Sequence, residues 1–340
     1  MQRLLIIGPA PQNIGGISIH IRRLVALLKD EYELDFVDEW HTRQEGIFNL
    51  RSGNIIKYLA KVIKADIIHV QSGIWSLRAF HIIVCRLLFR KKVIVTIHRD
   101  PNIEPHTSLT KRLLSKCNCA ILVNKEGYNA MKTKGKCRYY LLPAFLPPVM
   151  DEEPSVPEEV MRWIVKVKEN KDSFLMCSNA WKLVLHNGQD LYGIDTCIEA
   201  LHILKECGEE NNYLVFVVAS NPDEKERILH YKDLINKYGI TEHVLLWENP
   251  ASFVRIIQLS DLVLRTTNTD GDAISIREAQ FLGKPVLASD VVGRPEGVQL
   301  FKTRDANDLA DKIVCARGNK EKVALSKQID YRALFRSIYE

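Results

Sequence analysis

Short apolar runs rich in β-branched residues recur along the chain, most of them followed by a longer stretch with helical spacing. This alternation restricts the fold more than any other feature. In the first part the runs are 4–8 (LLIIG), 33–37 (ELDFV), 66–70 (DIIHV), 92–98 (KVIVTIH), 120–124 (AILVN) and 138–143 (RYYLLP). Helical spacing occupies Ile17 to Lys29 and Trp75 to Arg90. Most of these runs keep no polar face for water, so they read as parallel strands covered by helices on both sides, a doubly wound α/β arrangement. Pro143, Pro147, Pro148, Pro154 and Pro157 then interrupt the pattern at a density that neither strand nor helix tolerates, which marks an interdomain linker. The alternation resumes with runs at 174–179, 213–220, 244–248, 262–267 and 285–289, and with helices expected from about Ile194 to Cys207, Asp223 to Tyr238 and Asp272 to Leu282. A chain of 340 residues suits two such domains, 1–150 and 151–325, with a ligand cleft at the carboxyl ends of their strands.

Composition narrows the class. With 46% hydrophobic and 26% charged residues and no low-complexity tract, the chain reads as an ordinary soluble globular protein. The apolar run at the N-terminus is broken by Gly8 and Pro9, too early for a secretory signal, and no apolar stretch reaches membrane-spanning length. The expectation is therefore a cytoplasmic protein. Its eight cysteines are scattered, and the one close pair, Cys117 and Cys119, lacks zinc-site spacing, so they read as reduced structural thiols. The net charge of +5 conceals an imbalance: residues 1–150 hold 23 Lys and Arg against 11 Asp and Glu, and the remainder 24 against 31. A basic first half suits either a polyanion or anionic membrane face, or a plain solvated surface.

Two loops could carry chemistry. After the first run comes Gly8-Pro9-Ala10-Pro11-Gln12-Asn13-Ile14-Gly15-Gly16 and then a helix. Adjacent glycines admit a ligand close to the backbone, and a helix N-terminus favours an anion; the alternative is a plain strand-to-helix turn. The loop matches neither a dinucleotide fingerprint nor a Walker A loop. The second loop lies between Thr266 and Ala279, where a polar turn leads into a helix opening near Asp272. Backbone amides of residues 271–275 (Gly271, Asp272, Ala273, Ile274, Ser275) would face a diphosphate, Asp270 would reach a sugar, and Glu278 could accept both hydroxyls of a ribose diol. The plainer account is a helix capped by Asp272 with two exposed acids.

The run Asp270 to Glu278, with Gly283-Lys284-Pro285-Val286-Leu287-Ala288-Ser289 and Gly293-Arg294-Pro295-Glu296, resembles the donor-site signature of the family 4 retaining glycosyltransferases with the GT-B fold. The resemblance extends to Gly15-Gly16, the strand ends Ile68-His69 and Thr96-Ile97-His98, the linker after Leu142-Pro143, and the aromatic segment Tyr331 to Tyr339. It implies two Rossmann-like domains facing each other across a cleft: an acceptor-binding one, a donor-binding one, and residues 326–340 as a helix packing back on the first. It also implies transfer of a hexose-type sugar from a nucleotide diphosphate-sugar to a glycan or lipid-linked saccharide, with retention and with no metal or cofactor beyond that co-substrate. By position, Asp270 matches the acid near the donor sugar, Glu278 the ribose-binding acid, His98 the histidine at the reaction centre, and Gly15-Gly16 the loop over the phosphates. His69 reads as structural.

The sequence departs from the family at two places. Asp270 stands where the family has Glu. The family's diphosphate-binding Arg and Lys are missing: the strand reads Cys177-Ser178-Asn179-Ala180-Trp181-Lys182, and the later position reads Tyr192-Gly193. Lys182 is the candidate replacement cation, with Asn179 as a neutral donor and Arg265 and Arg277 as further candidates, because negative charge develops on the leaving diphosphate. Residues 75–92 could rest on an anionic membrane, at the inner face of which a lipid-linked acceptor would lie, or fill a core position between two strands; the core is the preferred reading. A sugar-nucleotide epimerase or hydrolase, and a non-catalytic partner subunit, remain the alternatives; nucleic acid is not an expected partner.

Overall fold

The computed structural model describes residues 1–11, 16–41, 43, 45–98, 106–132, 135–219, 225–270, 273–318 and 329–340. Two compact units emerge, one comprising Met1–Val149 with Ile329–Glu340, the other Met150–Gln328.

The first unit has strands β1 (Gln2–Gly8), β2 (Tyr32–Asp38), β3 (Ile67–Val70), β4 (Lys92–Ile97), β5 (Cys119–Leu122) and β6 (Arg138–Leu141), all parallel, in the order β2-β1-β3-β4-β5-β6. Helices α1 (Gly16–Leu28), α2 (Ile55–Lys64), α3 (Trp75–His81), α4 (Thr107–Leu114) and α5 (Lys125–Met131) connect them. Side chains alternate across the sheet with the two-residue period of a strand. Leu5, Ile7, Ile68, Val70, Val93 and Val95 pack on one face with Tyr58, Val62, Ile82 and Cys85. Leu4, Ile6, Ile67 and Ile94 pack on the other with Ile21, Leu24 and Phe335. Both faces are thus dry, which is why the strands read as continuous apolar runs.

The second unit repeats the plan. It holds α6 (Glu158–Glu169), β7 (Phe174–Ala180), a hairpin of β8 (Leu185–His186) and β9 (Gln189–Asp190), α7 (Ile194–Glu206), β10 (Asn212–Val218), α8 (Lys225–Lys237), β11 (Val244–Trp247), α9 (Phe253–Leu259), β12 (Leu262–Arg265), α10 (Ile274–Phe281), β13 (Val286–Ser289), β14 (Gln299–Phe301) and α11 (Ala306–Gly318). Its parallel sheet runs β11-β10-β7-β12-β13-β14. Met176, Leu214, Phe216 and Leu264 serve one core, and Leu175, Cys177, Val215 and Val263 the other.

The last helix, α12 (Tyr331–Tyr339), belongs to the first unit. Its Tyr331, Phe335, Ile338 and Tyr339 are buried, and the Tyr339 hydroxyl meets His69 Nδ1 at 2.8 Å while His69 Nε2 meets Thr96 Oγ1 at 2.7 Å. Asp330 caps the helix by accepting from the Ala333 amide at 3.0 Å.

Several details differ from the sequence reading. The long helix expected from Trp75 to Arg90 turns π-helical over Ile82–Leu88, with Phe89 N donating to Val84 O, and Arg90 follows at φ 52°. The wider turn brings Val84 and Cys85 together into the core beside Ile82. Strands β8, β9 and β14 and helices α6, α9 and α11 were not anticipated. Within the proline-rich segment the only regular piece is the single 3₁₀ turn Met150–Glu152, and α6 starts directly after Pro157. All eight cysteines are free, six of them buried. No helix among the described residues is long and apolar enough to cross a membrane.

In each sheet the strand order reverses beside the unit's first strand, between β1 and β3 and between β7 and β12. Loops leaving adjacent strands there depart in opposite directions and open a crevice at the carboxyl ends, so these two places are where such sheets take ligands.

Candidate active site

At the β7/β12 reversal of the second unit, the chain leaving β12 is tied to the loop before α7. Thr266 Oγ1 donates to Tyr192 O at 2.7 Å and Asn268 N to Leu191 O at 3.0 Å. Gly193 makes the approach: its φ is +68°, and a Cβ there would lie 2.2 Å from Thr266 O. Only glycine fits.

Asp270 follows directly. Its Oδ2 accepts from Arg265 Nε at 2.9 Å, Arg294 Nη1 at 2.7 Å and Thr267 Oγ1 at 3.1 Å, and its Oδ1 accepts from Arg265 Nη2 at 2.9 Å. Burial alone would raise its pKa, but the hydrogen bonds and charges of Arg265 and Arg294 prevail and hold the carboxyl down at about 2. Arg294 also donates from Nε to Ser289 O at 3.1 Å and from Nη2 to Ser289 Oγ and Thr267 Oγ1, while Ser289 Oγ donates to Thr267 O at 2.6 Å. The ends of β12 and β13 are thereby clamped around one buried carboxylate. Arg265 lies over the Tyr192 ring, 5.5 Å from its centroid.

Helix α10 opens at Ile274, with Ala273 in the capping position and no side-chain cap. Asp272 therefore precedes the cap, and it lies, with Gly271 and Gly15, outside the described residues. Ala273, Ile276 and Ala279 face the core. That orientation leaves Ser275 and Glu278 buried, Glu278 with only 5% of its surface exposed. Glu278 lies near β7, where its charge is one of those raising the Cys177 thiol, after burial as the main cause. Glu278 thus lies about one turn into α10, on a buried face of the helix that follows β12.

The remaining expected residues are spread over the two units. Asn179 is half-buried at the end of β7, and Lys182 is exposed just beyond it, without an ion pair among the described residues. Gly16, exposed, is the first residue of α1, and His98 follows β4, both in the first unit. His98 Nε2 meets Gln71 Oε1 at 3.0 Å, and its ring stands edge-on to His20 with centroids 4.9 Å apart. Burial, then the charges of His20, His69 and Arg78, push the His98 pKa well below the usual value, so the ring is neutral at neutral pH. The same causes act on His69: its pKa is lowered to about 3, by burial first and by His20 second.

Sequence reasoning did not single out Arg294 as a partner of Asp270, nor Gln71 and His20 as neighbours of His98. The signals were thin: an Arg inside the loop after β13, a Gln one residue past β3, and a His one turn into α1 from Gly16. Among the described residues no three His, Cys, Asp or Glu side chains gather as a metal site would.

Comparison with known proteins gives this geometry a context. Residues 183–318 match the model of the family described as Glycosyl transferases group 1. Among solved structures, Anabaena HepE in complex with UDP and glucose is similar over 100% of this chain and 96% of its own, at 13% identity and a TM-score of 0.66. A glycosyltransferase from Rickettsia africae ESF-5 is similar over 100% and 95%, at 15% identity and a TM-score of 0.67. Sucrose-phosphate synthase from Thermosynechococcus elongatus gives 16% identity over 100% and 95%, with a TM-score of 0.63. No curated protein matches the chain in sequence. The protein thus has the GT-B fold over its whole length, and its residues 183–318 are similar to the group 1 glycosyltransferases.

Proposed function

We propose that this protein is a glycosyltransferase that moves a hexose-type sugar from a nucleotide diphosphate-sugar to a hydroxyl of a glycan or lipid-linked saccharide, with retention, in the cytoplasmic assembly of a cell-surface polysaccharide. The observation that carries the reading is Glu278, a carboxylate buried on α10, the helix that follows a strand of the order reversal, which would offer a sugar-nucleotide's ribose diol two acceptor oxygens. HepE, with a similar fold, has been captured with UDP, with UDP and glucose, and with UDP-glucose, which supports a hexose donor here.

In this reading the second unit takes the donor and the first the acceptor. The opening of α10, Ala273 to Ser275 with Gly271 and Asp272 before it, offers backbone amides to the diphosphate. Asn179 adds a neutral donor, and the family resemblance implies roles at the phosphates for Gly15 and Gly16 and at the sugar's reaction centre for His98. Lys182, uncommitted and exposed, supplies the cation opposite the leaving diphosphate, where charge accumulates in the transition state. Asp270 contributes by holding Arg265 and Arg294 at the strand ends, and it meets the sugar only by sharing oxygens those arginines now occupy. The reaction gains mainly from positioning and from charge stabilisation.

The first unit would also meet an anionic membrane. The α2 residues Ile56 and Ile63, and Leu87 and Leu88 of the π-helical segment, are exposed beside Lys57, Lys64 and Arg90. Sedimentation with phosphatidylglycerol vesicles but not with phosphatidylcholine vesicles supports this contact, and equal behaviour with both removes it.

A thermal-shift screen against UDP-, GDP- and ADP-sugars tests the donor site. A sugar-nucleotide at a hundred times its dissociation constant stabilises the folded state by about 2.7 kcal/mol. No rise in midpoint with any of them would sink the assignment. A second reading, a partner subunit that binds donor without transferring it, is favoured by the saturation of Asp270 with arginines. Stabilisation by a donor without turnover on any glycan acceptor would select it.

A further inference from the structure

At the β1/β3 reversal of the first unit, three side chains meet whose hydrogen bonding is only half complete. Gln71, just past β3, is fully buried, and its Oε1 lies 3.0 Å from His98 Nε2. A carbonyl oxygen only accepts, so the ring nitrogen must donate and carry the proton. His20, on α1, is held the opposite way: its Nδ1 lies 2.7 Å from Ala144 O, so its proton is on Nδ1. Two atoms are left over. Among the described residues the Gln71 amide nitrogen and His20 Nε2, both buried, have no partner.

A buried, unpaired amide nitrogen is a standing cost to folding. A leucine would fill the same volume without it. Gln71 therefore serves something other than stability, and the one side-chain bond it makes is to His98. A neutral imidazole presents one donor and one acceptor, and which nitrogen is which follows from the bond at the other. Among the described residues the groups facing His98 are His20 from α1, His69 from β3, Arg78 from α3 and Gln71 itself, and none of these is a carboxylate that would draw a second proton onto the ring.

We propose that Gln71 is a positioning residue that keeps His98 in the tautomer protonated on Nε2, leaving Nδ1 as the bare acceptor for a hydroxyl of the sugar substrate. The assignment of a substrate hydroxyl rests on the reading of His98 as the residue at the sugar's reaction centre; the tautomer does not.

Long-range proton–nitrogen correlation spectra of the full chain labelled with nitrogen-15 at histidine, with the His98 signals identified through His98→Asn, test it directly. The wild-type ring should carry its proton on Nε2 at pH 7.5. In Gln71→Leu the preference should be lost while the thermal midpoint stays level or rises, and kcat should fall by about tenfold to a hundredfold with KM for the sugar-nucleotide little changed. In Gln71→Glu the carboxylate should raise the titration midpoint of His98 by about one pH unit or more. A wild-type proton on Nδ1, or a His98 spectrum unmoved in Gln71→Leu, would overturn the proposal, as would a clear fall of the midpoint in that variant. The expected spectra with an unchanged kcat would instead overturn the role of His98 in the transfer.

Discussion

Arg294 donates from Nη1 to Asp270 Oδ2 at 2.7 Å, joining the loop after β13 to the loop after β12, and the Arg294 side chain is only 2% exposed. Its other contacts, to Ser289 and Thr267, make it the part that closes the two strand ends on each other. Replacing it removes one of the two guanidiniums on a buried carboxylate and strips three polar groups of a partner. We expect Arg294→Met to cost about 3 kcal/mol in urea unfolding. A loss below about 0.5 kcal/mol would mean that Arg265 alone satisfies Asp270.

The same carboxylate gives the protein an acid limit. Burial works against the charged form, but Arg265 and Arg294 bring the folded-state pKa to about 2, below the unfolded value. The unfolded chain therefore takes up this proton first as the pH drops. The stabilisation is complete above about pH 4 and is lost as pH falls through about 2, amounting to about 2 kcal/mol for this one group. Urea midpoints followed from pH 5 to pH 2.5 should fall less steeply in Asp270→Asn, which begins less stable at pH 5; parallel curves would show that the group does not titrate as described.

His69 acts in a higher window. Burial, with His20 beside it, lowers its pKa to about 3, so the folded state holds it neutral while the unfolded chain protonates near pH 6.5. Its contribution is present above about pH 6.5 and is withdrawn progressively as the pH falls towards 3. His69→Gln should flatten the decline of stability between pH 6.5 and pH 4.5 by close to one proton's worth of slope. An unchanged slope would assign that decline to other groups.

Gly193→Ala should be among the most damaging single changes in the second unit. A methyl at that position would meet Thr266 O at 2.2 Å on a backbone already in the left-handed region at φ +68°. Either the loop before α7 lifts away or β12 shifts, and a cost of about 3 kcal/mol or more is expected by chemical denaturation. Near-normal stability would show that this loop is free to rearrange.

Glu278→Ala should leave the fold in place and weaken nucleotide-sugar binding by about tenfold or more, the scale of losing hydrogen bonds to a charged acceptor. Isothermal titration of wild type and variant with whichever sugar-nucleotide stabilises the wild type decides it. Equal affinities would make Glu278 a buried structural acid.

The strands were legible because both faces of each sheet are buried, so residues such as Leu4, Leu5, Ile6 and Ile7 leave no polar interruption for periodicity to miss. The acids Asp270 and Glu278 were legible as a pair eight residues apart across a strand-to-helix turn, but the burial of Glu278 was not. What stayed hidden depended on chain-distant pairs. Asp270 and Arg294 meet only because β12 and β13 are neighbours, and Gln71 and His98 only because β3 and β4 are. No local pattern encodes such meetings. Helix α6 was hidden differently: it begins directly behind Pro157, inside a segment whose prolines read as a linker.

The placement of α12 has a consequence for synthesis. The chain departs from the first unit at Val149 and rejoins it at Ile329, so the first unit is written in two pieces and the second in one. A ribosome delivers everything the second unit needs before it delivers Tyr331, Phe335, Ile338 and Tyr339, whose side chains complete the core around His69. The usual order, in which the amino-terminal domain settles first, is therefore turned around. The first unit must wait with an uncovered apolar sheet face, and it is the half that would call on a chaperone.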